Sequence, residues 1–154
     1  MISSNSKVEL DEIDRSILFE LQRNARITAT EIGRRIKLST PAASERLHRL
    51  EQAGVITGYH AAIDLGMLGF TIQGFVRLKH AGSNYKPFRA LLAKTPGILE
   101  CHHITGDDCF IMKVVAKSMA ELETLNSAIG IFGGVTTSIV YSTFLDQRPP
   151  DVGC

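Results

Sequence analysis

TATEIGRRIKLSTPAASERLHRL, residues Thr28 to Leu50, is the stretch on which the fold turns. Thr28 and Glu31 stand three apart, the spacing at which a hydroxyl caps a helix N-terminus and a carboxylate answers it. Ile32 and Ile36 then share one face of a helix of about two turns. After Lys37 and Leu38, either Ser39 or Thr40 can cap a further helix, with Pro41 tolerated in its first turn and Ala43, Leu47 and Leu50 as its apolar stripe. Two short helices joined by a turn of about three residues predict a helix-turn-helix. Upstream, Asp11 with Asp14 opens a preceding helix along Ile13, Ile17 and Leu21. Downstream, Gly54 stops the last helix, and the alternation from Val55 to Ile63 predicts a strand.

The charge is polarised along this half of the chain. From Gln22 to Arg49, Arg23, Arg26, Arg34, Arg35, Lys37, Arg46 and Arg49 stand against Glu31 and Glu45, a net charge of +5. Residues 1–21 carry −3 and residues 50–65 carry −2. Positive charge is thus gathered on the two helices that would meet phosphate, where counterion release drives binding to double-stranded DNA. With Ala43, Leu47 and Leu50 turned inward at about 100° per residue, Glu45, His48 and Arg49 point outward, flanked by Ser44 and Arg46. Arg49 has the donors for a guanine edge or a phosphate, Glu45 can accept from a cytosine amine, and Ser44 and His48 suit bases or backbone. With Arg34, Arg35, Lys37, Ser39 and Thr40 around the turn, these are the candidate DNA-binding residues. Glu45 and Arg49 equally fit an ordinary exposed i, i+4 pair.

Beyond Leu65-Gly66-Met67-Leu68-Gly69, read as a hinge over 65–69, the pattern changes. Phe70, Ile72, Gly74, Val76 and Leu78 alternate as a strand, and Tyr85, Phe88, Leu91 and Leu92 form a helical face ended by Thr95-Pro96-Gly97. Ile98 to Ile104 and Phe110 to Ala116 make a hairpin across a Thr105 to Asp108 turn. Ser118 and Glu121 open a helix through Leu122, Leu125, Ile129 and Phe132, and Val135 to Leu145 reads as the last strand. This order, βαββαβ, is the ferredoxin-like arrangement, so the fold class is α+β: a helix-turn-helix with its following strand over 1–64 and a ferredoxin-like domain over 70–145. Residues 146–154 read as a short loose tail. Both helices of the second domain cover one sheet face, and the other keeps Phe75, Ile111 and Val115, which predicts a homodimer through the sheet.

The 154 residues exclude the largest enzyme folds, and 44 % apolar against 21 % charged residues is a folding composition. Cys101, Cys109 and Cys154 form an odd set without C-x-x-C spacing, as in a reduced cytoplasmic protein. No apolar run approaches the ~20 residues of a membrane span.

Leu10-Asp11-x-x-Asp14-x-x-Ile17-Leu18-x-x-Leu21-Gln22-x-x-Ala25-Arg26, Leu38-Ser39, and Arg46-Leu47-x-x-Leu50-Glu51-x-x-Gly54-Val55-Ile56-x-Gly58-Tyr59 together resemble the Lrp/AsnC family, the leucine-responsive or feast/famine regulators of bacteria and archaea. The resemblance runs from about Leu10 to Leu145. It implies a winged helix-turn-helix followed by a RAM domain, sheet-mediated dimers often assembled into octamers, and an amino acid as effector. It also implies an effector site at the loop between the second and third RAM strands, here Thr105, Gly106, Asp107, Asp108 and Cys109. Gly106 permits close backbone approach to a carboxylate, and a side-chain carboxylate can accept from an ammonium. Thr136, Thr137 and Ser138 add hydroxyls that could face the same cleft. The family's usual G-D-x-D has Cys109 in place of its second acid, and the connection after Phe132 is short for the family.

Three other readings compete with an effector-sensing regulator. One is an architectural DNA-binding protein without an effector. Another is a metal-responsive regulator using the hairpin from Cys101 and His103 to Asp107 and Cys109; strand alternation puts His102 on the opposite face from Cys101 and His103. The last is an enzyme, for which no nucleophile, base and orienting acid or phosphate-binding glycine loop can be assembled. No cofactor is expected.

Overall fold

A computed structural model describes residues 8–107 and 109–153. Asp108 and Cys154, and the first seven residues, lie outside the described residues. The chain forms two compact units, one built from residues up to Ala62 together with Leu145 onward, the other from Ile63–Phe144.

In the first unit, helices α1 (Glu12–Arg23), α2 (Ala29–Ile36) and α3 (Thr40–Gln52) each begin at a side-chain cap. Asp11 accepts from the Asp14 amide while Asp14 accepts from the Asp11 amide, a complete capping box. At α2 only half the box forms. Thr28 accepts from the Glu31 amide, while the Glu31 carboxylate turns to arginines instead. Ser39, not Thr40, caps α3. Ile17, Leu21, Ile32, Ala43 and Leu50 are the buried core, with Ile13, Leu47, Val55 and Ile56 packed against it. Between α2 and α3, Lys37 adopts a left-handed conformation and the Leu38 amide donates to the Gly33 carbonyl. A Cβ on Gly33 would sit 2.7 Å from the Leu38 carbonyl oxygen, so the tightness of this turn requires glycine there.

The strand expected over Val55 to Ile63 is absent. The Val55 and Ile56 amides both donate to the Leu50 carbonyl, wrapping the end of α3, and the chain then runs exposed to Ala62. An apolar alternation makes a strand only where another backbone pairs with it, and none of the described residues pairs with these. The tail differs as well, because it is docked. Arg15 Nη1 donates to the Val152 carbonyl at 2.6 Å and Gln22 Nε2 to the Pro150 carbonyl at 3.1 Å. Pro150 and Val152 thereby complete a groove of ≈ 450 Å³ with Leu10, Leu18, Leu21 and Val55.

In the second unit, the hinge residues form a single 3-10 turn, Gly66–Leu68. Strands β1 (Ile72–His80), β2 (Ile98–His103), β3 (Phe110–Ala116) and β4 (Gly133–Ile139) lie in the antiparallel order β2-β3-β1-β4, with α4 (Lys86–Lys94) and α5 (Met119–Gly130) between them in sequence. The buried core joins Val76, Leu78, Met112 and Val114 of the sheet to Phe88 of α4 and Leu122, Leu125 and Ile129 of α5. β1 starts two residues later than expected because the Phe70 amide donates to Leu65 and closes the 3-10 turn. β4 ends at Ile139, not Leu145. Its partner β1 begins at Ile72, so after the Val140 amide reaches the Gln73 carbonyl no backbone remains to pair, and Tyr141 and Phe144 stand fully exposed. The second sheet face is less bare than the alternation implied: Val115 is 1 % exposed within the single chain, whereas Phe75 is 42 % exposed.

Candidate nucleic-acid interface and effector loop

The outward residues of α3 divide into two groups. Ser44, Glu45 and His48 are exposed, as are Lys37, Ser39 and Thr40 at the turn. His48 lies 2.9 Å from Gln52 through Nε2 and 3.9 Å from Glu51 through Nδ1. The arginines are held instead. Arg46 Nη1 donates to Asp11 Oδ2 at 2.6 Å and to Asp14 Oδ1 at 2.9 Å. Arg49 Nη2 donates to both Asp14 oxygens, at 2.7 and 2.6 Å. Asp14 itself is completely buried. The backbone amide of Asp14 and the Arg46 guanidinium hold the Asp11 carboxyl below the usual carboxylate range, and Asp11 in turn raises Arg46.

On α2, Arg34 grips both Glu31 oxygens, while Arg35 bridges Glu31 on its own helix to Glu20 on α1. The two guanidinium groups lower Glu31 to about 2. Because this pKa is depressed, the fork is fully formed above the ordinary value of 4.5 and is lost as pH falls through about 2. A carboxyl-carbon NMR titration is expected to place the Glu31 midpoint close to 2, and a midpoint near 4.5 would show the fork unformed in solution. Of the net +5 read along residues 22–49, which already counts Glu31, three charges are compensated in space by Asp11, Asp14 and Glu20 from outside that segment. Sequence reading missed Asp14 as a partner of α3. Its spacing to Asp11 signals a cap, and nothing local reveals two arginines more than thirty residues away.

At one end of the sheet, the β2–β3 turn is closed by the Ile104 amide donating to the Cys109 carbonyl. Thr105, Gly106 and Asp107 are exposed. Gly106 sits at φ +113°, a conformation that favours glycine, with open space where a Cβ would be. Cys109 faces inward, its amide donating to the Leu78 carbonyl and its Sγ 4.0 Å from the His80 carbonyl. Behind the loop His80, Tyr85, His103 and Phe110 form an aromatic cluster, with His103 stacked on Phe110 at 4.7 Å and Tyr85 edge-on to His80 at 5.0 Å. Among the described residues, His80 Nε2 is buried there without a hydrogen-bond partner.

The three hydroxyl residues are not brought to this loop. β1 lies between β4 and β3, and Thr136 and Ser138 pair with Arg77 and Phe75 on the open sheet face. Thr137 pairs with Val76 and points to the helices, donating to Asn126 Oδ1 at 2.9 Å. Alternation with the inward Val135 carried that signal.

The residues of the hairpin metal reading lie in different settings. Cys101 packs into the helical-side core, where burial raises its thiol pKa, while His103 is taken up by the aromatic stack. Among the described residues, no group of His, Cys, Asp and Glu is placed to hold a metal ion. Nor, among them, is any helix long and apolar enough to cross a membrane.

A helix-turn-helix followed by a ferredoxin-like sheet with an open glycine loop at one end defines a DNA-binding protein carrying a second, ligand-binding unit. Family profiles agree on both halves: residues 10–57 match a winged helix-turn-helix DNA-binding domain and residues 73–150 match the Lrp/AsnC ligand binding domain. The chain belongs to the Lrp/AsnC family of transcriptional regulators. It is 30 % identical to the transcriptional regulator LrpC of Bacillus subtilis, over 88 % of this chain and 94 % of that protein. The solved structure of LrpC superposes with a TM-score of 0.86, over 91 % of this chain and 99 % of that one. A leucine-responsive regulatory protein of Rhizobium meliloti is 39 % identical over 76 % of this chain and 77 % of its own. A transcriptional regulator of Neisseria meningitidis solved with L-Met is 26 % identical, with a TM-score of 0.83 over 90 % of this chain and 94 % of that one.

Proposed function

We propose that this regulator binds double-stranded DNA through α3 and the α2–α3 turn, and that a free amino acid taken up at the Thr105–Asp107 turn modulates its assembly and DNA affinity. The observation that carries the reading is Gly106, exposed and left-handed, with open space where a Cβ would be, which leaves room for a carboxylate to approach the backbone. The L-Met bound to the similar Neisseria regulator supports an amino acid as the ligand class. The working division is a DNA-binding domain over 1–64, a hinge over 65–69, a RAM domain over 70–145 and a tail over 146–154. A homodimer through the sheet face of Phe75 and Ile111, and a higher assembly such as an octamer, belong to the same proposal.

A thermal-shift screen against the twenty amino acids tests it. At least one is expected to stabilise the protein by ~1 to 3 kcal/mol at high saturation, and the same compound should change the mobility of the protein–DNA complex. One observation favours an effector-independent architectural role instead: Cys109, in the place of the family's second acid, turns inward toward His80. A flat screen with intact DNA binding would establish that second reading.

A further inference from the structure

The arginines of α3 pose a problem for DNA recognition, because the residues best suited to guanine and phosphate already hold carboxylates. The geometry resolves it in a specific way. Arg49 uses Nη2 alone on Asp14, in a chelate to both carboxylate oxygens, and its side chain is 54 % exposed. A guanidinium has five donors in a rigid plane, so anchoring one corner fixes the direction of Nε and Nη1. Arg46 is anchored more fully, through Nη1 to both Asp11 and Asp14, and is 28 % exposed. The anchor is itself rigid: Asp14 is buried and its Oδ2 is further tied to the Asp11 amide in the α1 capping box.

Building on α3 as the recognition helix, we propose that Asp14 is a positioning residue for DNA readout, its buried carboxylate holding Arg49 so that the free edge of the guanidinium meets DNA in one orientation. An arginine held before binding loses less rotamer freedom when it binds, and a fixed fork distinguishes a guanine edge from other bases better than a mobile one. The same carboxylate offsets positive charge on the helix and so restrains binding to phosphate irrespective of sequence. Asp14 thus raises discrimination and limits non-specific affinity, two effects that a purely structural residue would not separate.

The test uses the full chain and two duplexes, one selected from a random pool by the wild-type protein and one with the same bases scrambled. Asp14→Asn keeps the side-chain shape and removes the charge. Relative to wild type, it is expected to lower the affinity ratio between the two duplexes about tenfold, and to steepen the dependence of log K on log salt by about 0.9 as one further phosphate is neutralised. In an Arg49→Ala background the same substitution is expected to leave the ratio unchanged, because the residue acts through Arg49. Asp14→Glu, which keeps the charge but displaces the oxygens, is expected to lower the ratio with the salt slope unaltered; it also serves should Asp14→Asn lose its far-UV helical signal. A wild-type ratio in Asp14→Asn or Asp14→Glu, or an equal loss with and without Arg49, overturns the proposal. So does a parallel fall of both affinities. If Arg49→Ala alone leaves both affinities at wild-type values, the recognition-helix reading fails and the proposal falls with it.

Discussion

Gly133→Ala is expected to lower the stability of the ferredoxin-like unit by about 3 to 4 kcal/mol, near the upper end of what single substitutions do. The residue sits at φ +154°, where a Cβ would come within 2.0 Å of the Lys79 carbonyl oxygen and 3.0 Å of its carbon. That neighbour is backbone, so no side-chain rotation relieves the contact. The strand must move, and with it the pairing of Gly133 with His80 and of Gly134 with Lys79 that starts the β1–β4 ladder. The Phe132 carbonyl, which accepts from the Ala81 amide at the same corner, is displaced too. Urea unfolding followed through the buried Met112 methyl signal is expected to shift its midpoint strongly downward, and a wild-type midpoint would show that the corner relaxes at little cost.

The second large effect lies in the helical unit. Ile17→Ala is expected to cost about 3 to 4 kcal/mol, within the usual range for a large buried aliphatic side chain cut to alanine. Ile17 has no exposed surface and belongs to a core of five buried apolar residues among those described. Removing its side chain leaves a cavity where α1 meets α2 and α3, in a unit too small to absorb the loss elsewhere. DNA binding should fail on warming well before the Met112 signal changes, since the lost contacts belong to the helices alone. Coincident loss of both signals would show that the two units unfold as one.

The local features of this fold were legible in its sequence because they depend on neighbours. The caps at Asp11, Thr28, Ser39 and Ser118 each rest on residues within three positions, and the helical stripes and the βαββαβ order follow from periodicity alone. The features that escaped all depend on distant backbone or charge. Val55 to Ile63 alternates like a strand yet has no partner among the described residues, and β4 stops where β1 begins. A charge count along residues 22–49 cannot see Asp11, Asp14 and Glu20 folding back over the arginines. In the candidate site the Gly106 turn was readable from composition, whereas the inward turn of Cys109 toward His80 depends on β1 arriving beside it. Thr137 was readable and overlooked.

The docked tail bears on how the protein is made. Arg15 and Val152 are 137 positions apart, and Gln22 and Pro150 are 128 apart, while the contacts among α1, α2 and α3 close over a few tens of residues. During synthesis the three helices leave the ribosome early and can collapse at once, since short-range contacts form fastest. Their groove must nevertheless wait for residues translated after the whole sheet. The DNA-binding unit is thus the first to begin folding and the last to be finished, and a nascent chain halted anywhere before Pro150 carries it with Leu18 and Leu21 less covered than in the completed protein.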